Sequence, residues 1–189
     1  MSGDQAGQVG RLPPSGFRQL GLINWVIAKL AARQVRAPEM HLFTTLGQRR
    51  FLFWAWSVYS TRLLSGRLPR VDTELVILRV AHLRSCEYEL QHHRSMARHH
   101  GLDARMQAAI FAWPEIPEDG GGKLSARQQT LLQATDEFIN DRTITRGTWQ
   151  QLEGYLDRRR LIEFCLLASQ YDGLAATISA LDIPLDNPR

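Results

Sequence analysis

From residue 17 onward, apolar side chains recur every three or four positions, and strand-type alternation is scarce. No hairpin signal and no internal repeat interrupts this pattern. The chain is thereby restricted to helices that bury their apolar stripes against one another. Candidate helices cover residues 17–33, 42–64, a segment ending near 83, then 86–100, 104–113, a segment ending near 140, 148–155 and 157–181. Ser65-Gly66 and Pro69, Gly101 and Pro114 are the stop signals between them. Asp72 is expected to cap one helix start, and Ser125 with Gln128 has capping-box spacing. Residues 75–81 are apolar nearly all round, which predicts a helix buried on every side. The expectation is a single all-α domain over residues 17–189 with about seven or eight helices. A flexible, polar segment over residues 1–16 precedes it. Residues 114–123, with three successive glycines at 120–122, form the one clear internal loop.

Composition narrows the function classes. Hydrophobic residues make up 44% and charged residues 22%, so disorder does not fit. Lys and Arg number 23 against 19 Asp and Glu, a mild excess spread along the chain. The run Arg158-Arg159-Arg160 lacks interleaved aromatics, so no nucleic-acid partner is expected. The two cysteines, Cys86 and Cys165, cannot build a disulfide framework or a four-cysteine zinc site. The first 16 residues lack the apolar core of a secretory signal. The longest apolar run, residues 20–32, is too short for a membrane span and holds Asn24 and Lys29. A cytoplasmic protein without a membrane partner is expected. The aromatic run from Phe51 to Trp56 reads as core or subunit interface.

The chemistry gathers in residues 86–100. With about 100° per residue, Cys86, Glu89, Leu90, His93, Met96, Ala97 and His100 share one arc of the helix. The other positions are polar or aromatic-polar, Tyr88 among them. The only stripe by which this helix can dock therefore carries a thiol, a carboxylate and an imidazole inward. A buried carboxylate needs a partner, and Glu89 with His93 at i, i+4 can supply each other's. Cys86 at the helix start faces unpaired backbone N–H groups, which favour thiolate. His93 and His100 are separated by about 10 Å of rise, too far to share one ion, and His92 and His99 point outward. Neither a metal nor another cofactor is expected.

Several separated motifs resemble the carboxymuconolactone decarboxylase and alkylhydroperoxidase D-like (AhpD-like) superfamily. They are Leu68-Pro69, residues 74–81, the Cys86-Glu87-Tyr88-Glu89 stretch with His93, and the closing stretch from Tyr171-Asp172 to Leu185. The resemblance implies an AhpD-like helical fold, a homo-oligomer such as a trimer or hexamer, and a site built from Glu74, Cys86, Glu89 and His93. Tyr88 stands where some members carry an auxiliary histidine. The family's peroxidase branch has a second cysteine at the position of Glu89, so turnover here would draw on an external thiol reductant.

Three functions follow as expectations. The first is a peroxidase-like thiol oxidoreductase, with Cys86 as nucleophile and Glu89, His93 and Glu74 relaying protons. The second is a lyase, decarboxylase or isomerase acting on a small carboxylated lactone through Glu89 and His93. The third is a non-catalytic oligomeric binding protein that keeps a polar core pair for structure alone. The first two take a small-molecule substrate.

Overall fold

Residues Leu75, Val76, Ile77, Leu78, Val80 and Ala81 have no accessible surface, so the segment that is apolar all round does form a fully buried helix. The computed structural model describes residues 10–12, 15–34, 37–115 and 122–186, with only the backbone of Gln34. Among these residues there are nine α-helices and no strand. They are α1 (Phe17–Gln34), α2 (His41–Leu46), α3 (Arg50–Leu64), α4 (Arg70–Leu83), α5 (Glu87–His99), α6 (Ala104–Ala112), α7 (Ala126–Asp141), α8 (Arg146–Glu153) and α9 (Arg158–Leu181). Most of the segment read as flexible at the start, and residues 116–121 of the glycine loop, lie outside the described residues.

The described chain gathers into two compact units, residues 1–59 with 177–189, and residues 60–176. In the first unit, the helix expected over 42–64 is two helices, α2 and α3. Gly47 is the C-cap of α2, at a position that leaves no room for a side chain. A Cβ there would lie 2.6 Å from both Leu20 Cδ2 and the Phe43 carbonyl oxygen. The break frees carbonyl groups, and Asn24 of α1 meets them. Its buried amide donates to the carbonyls of Gly47 at 3.1 Å and Arg50 at 3.3 Å. The polar residue inside the apolar run 20–32 is thus the partner that the break requires. α1 itself kinks at Gly21, whose φ of 73° suits glycine.

In the second unit, α4 is the central element, packed against α5, α6 and α7. Two ion pairs pin it to α7, with the α4 partner buried in each. Arg79 donates to both carboxylate oxygens of Asp136 at 2.6 and 2.7 Å, and also to the carbonyls of Ile110 and Trp113 at the end of α6. Asp72 accepts from Arg127. Asp72 is not the N-cap that its type suggested. α4 starts three residues earlier, after Pro69, and Asp72 lies in its first turn. α7 opens on the expected capping box of Ser125 and Gln128. α8 starts at Arg146 rather than 148, because Thr145 caps it and Glu137 of α7 accepts from Thr145 and Thr148.

Candidate active site

The turn between α4 and α5 sets the position of Cys86. Ser85 takes a left-handed conformation (φ 50°), and the Cys86 N–H donates to the Ala81 carbonyl at 2.8 Å. Cys86 becomes the N-cap of α5, with its sulfur near the Tyr88 and Glu89 amides of the first turn. α5 docks by the stripe that the helical wheel predicts. Leu90 and Ala97 are 3% and 0% exposed, and Cys86, Glu89 and His93 are buried with them.

The hydrogen bonds differ from the expectation. His93 does not pair with Glu89 one turn back. Its Nδ1 lies 2.8 Å from Oε2 of Glu74 on α4, and its Nε2 lies 3.2 Å from the hydroxyl of Tyr171 on α9. The His93 and Tyr171 rings meet edge-on with centroids 5.2 Å apart. Glu74 is wholly buried, and its second oxygen is 3.7 Å from Arg70 one turn earlier. Three helices therefore converge on one imidazole. The i, i+4 geometry made a Glu89–His93 contact available, and a fully buried carboxylate across the α4–α5 interface took that place.

Glu89 is left facing Cys86. Among the described residues neither of its oxygens has a hydrogen-bond partner, and the Cys86 thiol is the neighbour that acts on it most strongly. Burial raises the Glu89 carboxyl to about 8, helped by the charge of Asp172 and opposed by the thiol. Burial and the Glu89 charge push the Cys86 thiol up to about 12. The amides of Tyr88 and Glu89 favour the thiolate, as a helix start should, but desolvation outweighs them. Cys86 by itself is a thiol near neutral pH, contrary to the expectation from its helix position. Tyr171 is raised well above the usual phenol range by burial, then by Glu89 and Glu74.

Tyr88, the remaining sequence candidate, is buried with its ring 5.0 Å from that of His92. Tyr171 was not among the candidates. A signal for it existed: it falls on the apolar stripe of α9 with Phe164, Leu167 and Ala168, and a buried phenol needs a hydrogen-bond partner. Asp172 beside it accepts from Arg84 at the end of α4 and from Arg142 at the end of α7, the latter at 2.8 Å. Among the described residues no three His, Cys, Asp or Glu side chains are grouped to hold a metal ion. No described helix is long and apolar enough to cross a membrane.

Residues 51–131 match the carboxymuconolactone decarboxylase family model. The matched segment contains Glu74, Cys86, Glu89 and His93, and ends before Tyr171. The fold is AhpD-like. A crystal structure of the alkylhydroperoxidase AhpD core, an uncharacterized peroxidase-related protein from Ralstonia eutropha JMP134, superposes with a TM-score of 0.79 at 13% identity, covering 97% of this chain and 94% of that one. An uncharacterized peroxidase-related protein from Silicibacter sp. TM1040 gives 0.69 at 13% identity, covering 94% and 90%. A protein of unknown function from Agrobacterium tumefaciens, described as a putative antioxidant defence protein AhpD, gives 0.64 at 15% identity, covering 71% and 90%. No curated protein sequence matches the chain. The family model matches the part of the chain that holds most of the motifs read from the sequence, and the all-helical, AhpD-like fold class is shown, with nine described helices in place of seven or eight.

Proposed function

We propose that this protein is a cysteine-dependent peroxidase in which Cys86 attacks a small peroxide and an external thiol completes turnover. One observation carries the reading. The buried Cys86 thiol faces the carboxyl of Glu89, which holds its proton up to about pH 8, on the helix that also presents the Glu74-bonded His93. The thiol and carboxyl titrate as a pair, and the pair releases its first proton near that pH. The remaining proton then resides on sulfur or on carboxyl. With the proton on Glu89, the sulfur is a thiolate supported by the Tyr88 and Glu89 amides.

The thiolate attacks one peroxide oxygen and the O–O bond breaks. Cys86 is oxidised to sulfenic acid, and the leaving oxygen takes a proton. One reductant thiol condenses with the sulfenic acid, releasing water and forming a mixed disulfide. A second thiol displaces Cys86 and leaves as the disulfide of the reductant. α5 carries no cysteine beyond its N-cap Cys86, so both reducing equivalents come from outside it.

Mass spectrometry after brief treatment with hydrogen peroxide and a sulfenate trap tests this. Cys86 is expected to be labelled faster than Cys165, with a rate that rises through about pH 8. Cys165 is half-buried and raised by burial without an acidic partner acting on it, so it serves as the internal control. Equal labelling of the two cysteines would rule out the proposal.

A second reading has its own support. A carboxyl that titrates near 8 is tuned for general acid–base work on a carboxylated lactone or similar acid. In that case Cys86→Ser retains turnover and His93→Ala abolishes it, whereas in a peroxidase Cys86→Ser is inactive.

A further inference from the structure

We propose that Tyr171 is the outlet of the Glu74–His93 pair, its hydroxyl delivering the relay's proton to the oxygen that leaves when Cys86 reacts. The proposal rests on the peroxidase reading and adds the proton donor that reading lacks. An imidazole has two nitrogens, and both of His93's are engaged, Nδ1 by Glu74 and Nε2 by Tyr171. His93 therefore cannot touch a substrate without giving up a partner. Whatever proton it handles passes through one of its two neighbours. Glu74 is closed off, with no exposed surface. Tyr171 is 6% exposed and lies within the electrostatic reach of Glu89 as well as Glu74. The phenol is thus the member of the relay that keeps some exposed surface, and its hydroxyl sits on the His93 nitrogen that Glu74 does not hold. It also lies outside the segment matched by the family model.

The relay has two states. When loaded, His93 is an imidazolium that donates from Nδ1 to the Glu74 carboxylate and from Nε2 to the Tyr171 oxygen. The Tyr171 O–H is then directed at the substrate. When the O–O bond breaks, the leaving alkoxide takes the Tyr171 proton, and Tyr171 takes the Nε2 proton of His93. The discharged state is neutral His93, with Nδ1–H on Glu74 and Nε2 accepting from the restored phenol. Meanwhile the thiol proton has moved to Glu89. The sum is thiol plus peroxide giving sulfenic acid plus alcohol, and Glu89 returns its proton through solvent to recharge His93. The edge-on packing of the two rings holds the phenol in line throughout.

Tyr171→Phe removes one oxygen and keeps the ring. The decisive readout is leaving-group dependence, which loss of structure alone would not produce. The rate of Cys86 oxidation in the full chain is compared for tert-butyl hydroperoxide, whose alkoxide needs a proton, and peracetic acid, whose carboxylate does not. Tyr171→Phe is expected to slow the first by about 10²-fold and to leave the second within about twofold. Equal loss with both peroxides, or no loss with the first, overturns the proposal while the peroxidase reading stands. A wild-type Cys86 that neither peroxide oxidises overturns both. Nitrogen-15 NMR of the His93 ring needs no peroxide. Its Nε2 resonance should shift in Tyr171→Phe while Nδ1 stays in place, and an unmoved Nε2 sinks the relay by itself.

Discussion

Glu89 is the residue at which burial and chemistry meet. Its carboxyl sits near 8 in the folded protein against an ordinary value of 4.5. Between these limits the folded state holds a proton that the unfolded chain has already released. This contribution to stability is complete below about 4.5 and is lost as pH rises to about 8, at up to about 1.4 kcal/mol per pH unit. Glu89→Gln has no such proton to lose. Urea titrations at successive pH values from 5 to 8 should show the wild type weakening relative to the variant. Parallel curves would mean that the carboxyl is solvated. Glu137 is lowered by its hydrogen bonds to Gln133, Thr148 and Thr145 and acts in the opposite sense, but it is common to both proteins and drops out of the difference. That Cys86, Glu89 and His93 share a buried face was legible in residues 86–100, because the helical period leaves α5 one apolar stripe. The family resemblance put Glu74 in the same site, but the direct partners of His93 were not legible in the helical pattern. Glu74 and Tyr171 are 19 residues before it and 78 after it, and no local pattern expresses such a contact.

The helices differ in what holds them in place, and this makes their substitutions unequal. Ser125 caps α7 at the surface, and Ser125→Ala should lower stability by about 1 kcal/mol. Asp136 on the same helix neutralises the buried guanidinium of Arg79. Asp136→Ala would strand that charge inside the α4–α6–α7 junction, at a cost of about 3–5 kcal/mol. Denaturant unfolding of the two variants should therefore separate clearly, and similar losses would show that Arg79 finds water. Capping at Ser125 was readable from its spacing to Gln128. The break after Leu46 was not, because the carbonyls at it are met by Asn24, a residue of another helix.

On the scale of the molecule, the first unit leaves much apolar surface uncovered. Leu22 and Ile23 of α1 are 62% and 69% exposed, and Phe51 and Trp54 of α3 are 91% and 57% exposed. Together they line a groove of about 660 Å³. The aromatic run expected to serve core or subunit interface is divided accordingly, with Phe53 buried and Phe51 open. Uncovered patches of this kind mark association sites. We propose a homo-oligomer that uses this face. Light scattering should give a mass above 21.5 kDa for the chain, and Ile23→Glu with Phe51→Glu should return it to that value. A wild-type protein already at the monomer mass would refute the assembly.

Helical period, stop signals and the single greasy stripe of α5 are local properties. For that reason the residues alone determined the all-α class, most helix boundaries and the inward placement of the thiol, the carboxylate and the imidazole. Which acid meets which base depends on how α4, α5 and α9 rotate against one another. Arg79 and Asp72 tie α4 to α7, and Asp172 ties α9 to the end of α4, through charge pairs between residues far apart in the chain, so only the tertiary structure could decide it.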